Sequence, residues 1–496
     1  METIITSKVI ITTAIPMLTA VLIMLSKNKP NLREFWSIFG ATLTFFSVCT
    51  YLPQILAGKS FEYTYFILYP GVNIKLHLDG LGIMFAGTAS FLWILAGFYC
   101  IGYMRGLNEH AQTRFYASYA LAVGGGMGVA FSGSLVTLYL FYEIVSIVTY
   151  PLVAHHQDEE GYDGARKYIV YLMFASKAFL LPAMILIYVQ CGNLDFAAGV
   201  MKGIFPANAS KTIVSIAYML CLFGFAKGAI MPMHGWLPAA MVAPTPVSAL
   251  LHAVVVVKVG VFSICRTFLS VFGVEILSKF GLGIITAYLA SFTIIVASII
   301  ALTKSNLKAR LAYSTISQLS YIILGVAMLT PNSITGGLIH IANHAFSKIT
   351  LFFAAGAIYV ATRKKDICEL GGIGFRMPFT MIAFGLAALS MIGVPPVSGF
   401  VSKWYLALGA MDLKNNILLI VLLVSSLLNA GYFVPIFLTS FFNSEVNLNN
   451  EDTGILENRP LIAFMVVPLF ISAVISVYFG FYPELFLKII KVLVGS

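Results

Sequence analysis

Two lysines of this sequence lie in apolar surroundings. Lys227 and Lys258 both fall within the segment Phe223–Arg266, which prolines interrupt several times. A charged side chain at the centre of a bilayer costs roughly 2.5–3.5 kcal/mol on insertion scales, and such residues usually face a bundle interior and mark an ion or proton path. Because desolvation disfavours the charged form of an amine, these side chains are suited to exchange protons. The segment therefore predicts proton transfer inside a membrane.

Six ionisable side chains fall inside apolar runs and away from predicted helix ends: Glu143, Lys177, Lys227, Lys258, Lys348 and Lys403. Glu143 is the one acid of this set. Beside Lys227 its carboxylate favours the charged amine, and separation of the two drives the proton off, so we expect the pair to act as a switch. The alternative is a static ion pair that holds two helices together. Lys177 either joins the path near Glu143 or occupies a water-filled gap.

Histidines accompany the buried lysines. His340 and His344 are four residues apart and Lys348 follows at the same spacing, which puts all three on one helix face. Imidazole exchanges protons near neutral pH and suits a relay. For His252 the alternative is a core histidine bonded to a carbonyl, and His234 is a further candidate. The predicted polar line through the bundle contains Lys227, Lys258, Lys348 and Lys403.

Metal and cofactor sites are not predicted. His155 and His156, followed by the acidic run Gln157–Glu160, resemble a metal-binding run, but adjacent histidines point to different faces of a helix and a solvated loop is the favoured interpretation. The six cysteines fall singly, without the spacing of an iron–sulfur or zinc site. Gly124–Gly126 lies in an apolar helix and favours close packing, and there is no phosphate-binding motif.

The composition is that of a polytopic membrane protein. The 496 residues are 59% hydrophobic and 10% charged, with a mean hydropathy of +0.92, whereas soluble domains average about 25% charged residues. The formal net charge is +10. The basic residues are scattered at loop ends or stand alone in apolar runs, so they indicate topology signals and no nucleic-acid partner.

Fourteen apolar runs are long enough to cross a bilayer as helices. We place predicted helices 1–14 at residues 7–26, 36–57, 80–103, 114–132, 134–154, 167–190, 212–239, 244–266, 275–303, 311–329, 334–361, 377–409, 415–440 and 461–490. Helix 7 contains GAIMPMHGWLP and helix 12 contains MIGVPPVSG, and both interruptions leave carbonyls that need water or polar partners. Paired breaks indicate inverted repeats around a path at the membrane centre.

We therefore expect an all-α polytopic membrane protein with two inverted five-helix repeats. The predicted divisions are residues 1–113 (helices 1–3), 114–266 (helices 4–8), 267–440 (helices 9–13) and 441–496 (a loop and helix 14). The loop from Lys59 to Asp79 has room for a short hairpin. The basic residues of the other loops give the orientation.

Lysines and arginines are concentrated in one set of alternate loops. They are Lys27, Lys29, Arg33, Arg105, Arg114, Arg166, Lys167, Lys304, Lys308, Arg310, Arg363, Lys364, Lys365, Arg376 and Arg459. The opposite loops hold fewer, and Arg266 is counted there. The positive-inside rule makes the first set cytoplasmic, which places both termini on the outer side of the plasma membrane.

The sequence resembles the antiporter-like subunits of respiratory complex I, membrane-bound hydrogenases and Mrp-type cation/proton antiporters. The matching blocks lie between Glu143 and Trp404 and read LYLFYEIVSIVTYPLV, KGAIMPMHGWLPAAMVAPTPVSALLHAVVVVKVGVF, LKARLAYSTISQLSYI, HIANHAFSKITLFFAAGAI and GVPPVSGFVSKWYL. The chain departs from the family pattern at Ala239 and Met241, where members often carry Asp and His. The shorter Mrp D-type subunits are the closer resemblance.

The resemblance implies a fourteen-helix fold with a proton path along a central hydrophilic axis. Glu143 and Lys227 resemble the modulating ion pair of the family, and Lys258 resembles its central lysine. His344 and Lys348 match the connecting groups of helix 11. Lys403 matches the helix-12 residue at the exit of the path.

We therefore expect a proton-translocating subunit of a multi-subunit complex, working in cation (Na⁺)/proton antiport beside antiporter-like and small membrane subunits. The alternative is the proton-pumping subunit of a complex I-like, hydrogenase- or formate-linked assembly with a peripheral redox module. Two further hypotheses are a self-sufficient transporter and a static scaffold. In all of them the chain has no cofactor, so any redox catalysis belongs to a partner.

Overall fold

The computed structural model describes residues 2–442 and 455–494, and most of these are helical. A small sheet lies near the N-terminus. In it β1 (Glu2–Ile5) runs parallel to β2 (Lys59–Tyr69), and β2 pairs antiparallel with β3 (Val72–Leu78). The antiparallel pair confirms the hairpin predicted between helices 2 and 3. Most of the loop predicted between helices 13 and 14 lies outside the described residues.

Helices occupy most of the first half of the chain. They are α1 (Lys8–Leu25), α2 (Pro30–Cys49), α3 (Leu52–Leu56), α4 (Gly80–Gly106), α5 (Gln112–Ala130), α6 (Leu135–Val153), α7 (Glu159–Ala175), α8 (Leu181–Cys191), α9 (Lys211–Gly224), α10 (Trp236–Ala239), α11 (Thr245–Ala249), α12 (Val256–Thr267) and α13 (Gly273–Phe280). Single π-helical turns join α7 to α8 and connect α11, α12 and α13.

The second half continues the same bundle. Its helices are α14 (Leu282–Thr303), α15 (Leu307–Ala327), α16 (Pro331–Thr362), α17 (Ile373–Arg376), α18 (Pro378–Ile392), α19 (Ser398–Asp412), α20 (Asn416–Phe442), α21 (Pro460–Phe481) and α22 (Glu484–Val494). By length and composition, ten helical runs among the described residues are able to cross a membrane, and two shorter apolar helices accompany them.

Each of the fourteen predicted segments coincides with a helix or a broken helix of the described residues. Two boundaries are wrong. Residues 273–280 continue the run of α12 and do not begin the next helix, because the turn falls at Gly281, whose φ of +72° suits glycine. The last predicted helix divides in two before Pro483, since a residue that precedes proline is disfavoured in a helix. Uniform apolar composition conceals both turns.

The two predicted helix breaks are confirmed. In the first, α9 ends at Gly224 and α10 begins only at Trp236. The Trp236 indole Nε1 donates to the Ala226 carbonyl at 2.9 Å, which satisfies a backbone oxygen inside the break. In the second, α18 ends at Ile392, Gly393 has a φ of +90°, and α19 begins at Ser398. Their relation by inverted repeats, and the four predicted divisions of the chain, stay predictions.

The helical run Thr245–Phe280 is the most enclosed part of the bundle. Its most apolar window is entirely buried within the described residues, whereas half or less of the corresponding window is buried in most other spans. The run is therefore surrounded by protein and shielded from lipid. A run that is apolar on all sides and still carries a lysine at its centre is the place where the fold encloses charge.

Gly260 lets this run approach the first break. A Cβ atom at Gly260 would lie 2.2 Å from the backbone nitrogen of Gly228 and 2.2 Å from the carbonyl carbon of Lys227. These are backbone atoms, so they cannot move aside as a side chain does. Only glycine permits this contact between α12 and the Lys227 turn.

We predict that Gly260→Ala lowers the stability of the detergent-solubilised protein by about 1–3 kcal/mol, the usual effect of overpacking. The measurement is the thermal unfolding midpoint. Gly87→Ala is the matched control, because the nearest atom to its Cβ is 4.0 Å away and alanine in a helix is favoured over glycine by about 0.5–1 kcal/mol. Equal midpoints for the two variants would contradict the close approach at Gly260.

Candidate functional site

Lys227 lies in the short turn after α9 and is fully buried. Its Nζ donates to the Tyr142 carbonyl at 2.6 Å and to Ser146 Oγ at 2.7 Å. The ammonium also lies 3.2 Å from the centroid of the Tyr142 ring, an arrangement that stabilises a cation. All of these contacts come from one face of α6 and from neutral groups.

Glu143 forms its ion pair with Lys177, so the expected direct pair with Lys227 is wrong. Glu143 Oε2 and Lys177 Nζ are 3.0 Å apart, and half of the Lys177 side chain is exposed. Consecutive residues of a helix project about 100° apart, since a turn contains 3.6 residues. Tyr142 faces Lys227, and Glu143 therefore faces the π-helical turn Ser176–Leu180. The alternative that placed Lys177 near Glu143 is confirmed.

Lys258 contacts a histidine across the centre of the bundle. Its Nζ lies 2.5 Å from His344 Nδ1, and each of the two residues is 1% exposed. The contact joins α12 to α16. The other ring nitrogen of His344 has no hydrogen-bond partner among residues 2–442 and 455–494. Two groups that both bind protons thus share a hydrogen bond, which is the arrangement a proton relay requires.

The second histidine of the α16 stripe extends this contact. The rings of His340 and His344 have centroids 5.8 Å apart. His340 Nδ1 lies 2.8 Å from Ser402 Oγ and Nε2 lies 3.0 Å from Gln318 Oε1. Gln318 Nε2 donates to the Met391 carbonyl at 3.4 Å. Polar groups therefore continue from the bundle centre to the second helix break.

Lys403 lies at that break and binds the end of α18. Its Nζ donates to the carbonyls of Met391 and Ile392, each at 2.9 Å, and to Ser426 Oγ at 3.2 Å. The last carbonyls of a helix have no partner within it, and a cation there interacts favourably with the helix dipole. Lys403 thus stabilises the interrupted helix and places an ammonium on the polar axis.

Three other predicted residues lie apart from this line of contacts. Lys348 Nζ donates to Ser314 Oγ and to the Leu311 carbonyl, the latter at 3.0 Å. His252 is fully buried beside Phe352, and neither ring nitrogen has a hydrogen-bond partner within the described ranges. His234 Nδ1 lies 3.2 Å from a carbonyl of the first break. The α16 stripe is confirmed as one buried face, but its members contact different helices.

A buried ion pair was not predicted from the sequence. Arg266 donates two hydrogen bonds to Asp79, at 2.6 and 2.7 Å, and the residues are 2% and 5% exposed. Asp79 also accepts from the Gly82 amide at 2.9 Å and so caps α4. The assignment of Arg266 to a loop is wrong, because the helical run extends beyond it to Phe280. The apolar sequence that follows Arg266 was the available signal.

A polar cavity of about 480 Å³ is lined by several of the basic loops. Lys308, Lys364 and Lys365 line it together with Asp158 and Glu160. Its inner wall includes the first residues of the enclosed helical run, starting at Thr245. Water that enters this cavity therefore reaches the start of the run on which His252 and Lys258 lie.

One of the two adjacent histidines predicted on a solvated loop is buried. His155 is 0% exposed, whereas the side chain of His156 is 37% exposed. His156 lines the polar cavity, and His155 points away from it against Phe115 and His110. The prediction of a solvated loop holds for His156 and is wrong for His155.

Comparison with known proteins gives one family over most of the chain. The family described as "NADH:quinone oxidoreductase/Mrp antiporter, TM" matches residues 132–429. NADH-quinone oxidoreductase subunit N of Desulforudis audaxviator is 32% identical over 450 residues, which are 87% of this chain and 86% of that protein. A Na(+)/H(+) antiporter subunit of Alkalihalophilus pseudofirmus is 30% identical over 505 residues, covering 95% of this chain but 60% of that protein.

Two solved structures share the fold. A chain of the Mrp complex from Dietzia sp. DQ12-45-1b matches with a TM-score of 0.84 and 22% identity, over 98% of this chain and 97% of that chain. A chain of the membrane-bound sulfane sulfur reductase, an archaeal respiratory membrane complex, matches with a TM-score of 0.86 and 24% identity over the same shares. The helical architecture is therefore that of known membrane subunits.

We predict that Asp79→Asn destabilises the protein by about 3–5 kcal/mol, because Arg266 is left buried without a counter-charge while asparagine still caps α4. Thermal or denaturant unfolding in detergent measures the effect. The double variant Asp79→Asn with Arg266→Met regains most of the loss. Lys488→Ala, which breaks an exposed ion pair, is the control and changes stability by less than about 1 kcal/mol. A double variant less stable than Asp79→Asn would contradict this account.

Proposed function

The chain belongs to the NADH:quinone oxidoreductase/Mrp antiporter transmembrane family, and we propose that it moves protons across a membrane as one member of a larger complex. The observation that carries the proposal is the 2.5 Å contact of Lys258 with His344 in the enclosed centre of the bundle. Both groups exchange protons, and the protein surrounds them with helices. The remaining polar groups supply the two ends of the path.

On the basic side, the polar cavity provides access for protons. Lys258 lies thirteen residues beyond Thr245 at the inner wall, which corresponds to about 20 Å of helix. His252 lies between them. A buried imidazole without a protein hydrogen bond is normally hydrated or functional, and either role suits a relay through water. The proton is taken up from the cavity, passes His252 and reaches Lys258.

From Lys258 the proton continues toward the second break. His344 receives it, and the neighbouring His340 leads through Gln318 and Ser402 to the region of Lys403. Histidine both donates and accepts protons, so each ring passes a proton on without a large movement. Lys403 at the end of α18 is the proposed terminal carrier. Lys348 modulates this segment from the side of α15.

We propose that the groups around Lys227 regulate the path. Lys227 lies against Gly260 of the enclosed run, within one helical turn of Lys258. Its contacts on α6 are neutral, and the nearby carboxylate of Glu143 is engaged by the half-exposed Lys177. Release of Glu143 from Lys177 frees a negative charge that stabilises the charged form of Lys227. A shift between these two pairings alters the charge next to the central lysine.

The protein is proposed to work beside other membrane subunits in the plasma membrane, with its basic loops on the cytoplasmic side and both termini outside. The matched solved chains are parts of multi-subunit membrane complexes. Sodium or another cation is the proposed counter-ion, in keeping with the name of the relative from Alkalihalophilus pseudofirmus. A second candidate is redox-driven pumping, which the likeness to a quinone oxidoreductase subunit over 86% of that protein favours.

We predict that Lys258→Ala lowers cation-dependent proton movement in inside-out vesicles carrying the parent complex by about 10-fold or more, because proton transfer by a positioned group typically contributes at least that factor. The readout is the decay of a pH gradient reported by a fluorescent dye after Na⁺ addition. Gradient decay that needs a redox donor, and not Na⁺, assigns the chain to the redox-driven alternative.

Lys279→Ala is the matched control, since this lysine is exposed at the end of α13. Assembly of each variant complex is checked by its elution in size-exclusion chromatography. Normal assembly and unchanged proton movement in Lys258→Ala would reject the proposed path. Loss of movement in both lysine variants would show that the assay responds to charge in general.

A further inference from the structure

Three potential metal ligands from two loops come together on the basic side of the bundle. Glu109 and His110 follow α4, and His155 follows α6. One ligand atom of each residue lies within 4.8 Å of the others. Both loops begin at the end of a long helix, so the backbone on either side of the cluster is fixed by the bundle. None of these residues is required by the proton path.

The buried histidine of this cluster has an unexplained polar ring. His155 is 0% exposed, and neither Nδ1 nor Nε2 has a hydrogen-bond partner in the described part of the chain. Leaving a buried polar group unsatisfied costs about 1–3 kcal/mol, and native structures rarely do so without a ligand or a function. Arg114 donates to the His155 carbonyl at 3.0 Å and holds the residue by its backbone. The imidazole itself is left for another partner.

The separation of the ligand atoms fits a coordinated ion. His155 Nε2 lies 3.5 Å from Glu109 Oε2. In a tetrahedral zinc site the nitrogen and oxygen ligands are each about 2.1 Å from the ion, so two of them are about 3.4 Å apart. His110 is exposed, and rotation of its side chain brings its ring nitrogen to the same distance. Its ring centroid already lies 4.8 Å from that of His155.

We propose that Glu109, His110 and His155 bind a transition-metal ion of the Zn²⁺ class. Imidazole and carboxylate ligands together suit Zn²⁺, whereas Mg²⁺ and Ca²⁺ prefer sites made of oxygen atoms. Three protein ligands leave a fourth position for water or for His156, whose Nδ1 lies 3.7 Å from Glu109 Oε2.

The bound ion would connect the α4–α5 loop to the α6–α7 loop. His156, the next residue after His155, lines the polar cavity together with Asp158. The metal site therefore fixes one wall of the cavity from behind. The cluster is defined by its own geometry, and its ability to bind an ion does not depend on what the cavity conducts.

Equilibrium dialysis of the purified parent complex against Zn²⁺, followed by metal analysis, tests the site. We expect one Zn²⁺ per copy of this chain, and an affinity at least about 10-fold lower in His110→Ala and in Glu109→Gln. Both residues lie at or near the surface, so the variants are expected to fold even where His155→Ala does not. His77→Ala, on β3, is the control and retains the affinity.

A second readout is the shift of the thermal midpoint on Zn²⁺ addition, which the intact protein shows and the two ligand variants lose. Wild-type affinity in both His110→Ala and Glu109→Gln would refute the site. An equal loss in His77→Ala, or no Zn²⁺ bound by the intact complex, would refute it as well. Proton movement is not part of either measurement, so the outcome is independent of the proposed function.

Discussion

The mutual satisfaction of buried ammonium groups and free backbone carbonyls is the constraint on which this structure depends. A helix that is interrupted inside a bilayer leaves carbonyls without partners, and a lysine at the same depth lacks a counter-ion. Lys403 answers both needs at the end of α18, where it binds two carbonyls. Lys227 does the same at the first break by binding the Tyr142 carbonyl. Each break is therefore tolerated because a lysine is near, and each lysine because a break or a carbonyl is near.

This arrangement also explains why most of the central cations are held by neutral partners. A buried ion pair fixes both charges, because removal of either proton leaves the other charge without compensation. Carbonyls, hydroxyls and an imidazole stabilise an ammonium less strongly, so loss of its proton is less costly. Lys258 with His344 is the clearest case. The fully paired Arg266 and Asp79, in contrast, belong to the scaffold, since arginine keeps its proton in proteins.

The close packing around α12 is what brings these groups together. Gly260 allows the backbone at Lys227 to touch the enclosed run. The π-helical turn Leu250–Val254 shifts the register of the run just before Lys258, so that the lysine faces α16. Such turns are frequent at functional sites. The Glu109, His110 and His155 cluster lies outside this core and touches it only through the loop that also borders the polar cavity.

The sequence by itself determined the membrane class, the fourteen helical segments, the two breaks and the identity of the buried lysines. Apolar length, Gly/Pro interruptions and isolated charges are local signals, and a bilayer makes each of them costly to misplace. Only the tertiary structure decided which groups meet. Glu143 pairs with Lys177 because adjacent residues of α6 face different neighbours, and no spacing along the chain reports which neighbour stands on which side. His155 is buried and Arg266 meets Asp79 for the same reason, since partners that are distant in sequence are chosen by packing in three dimensions.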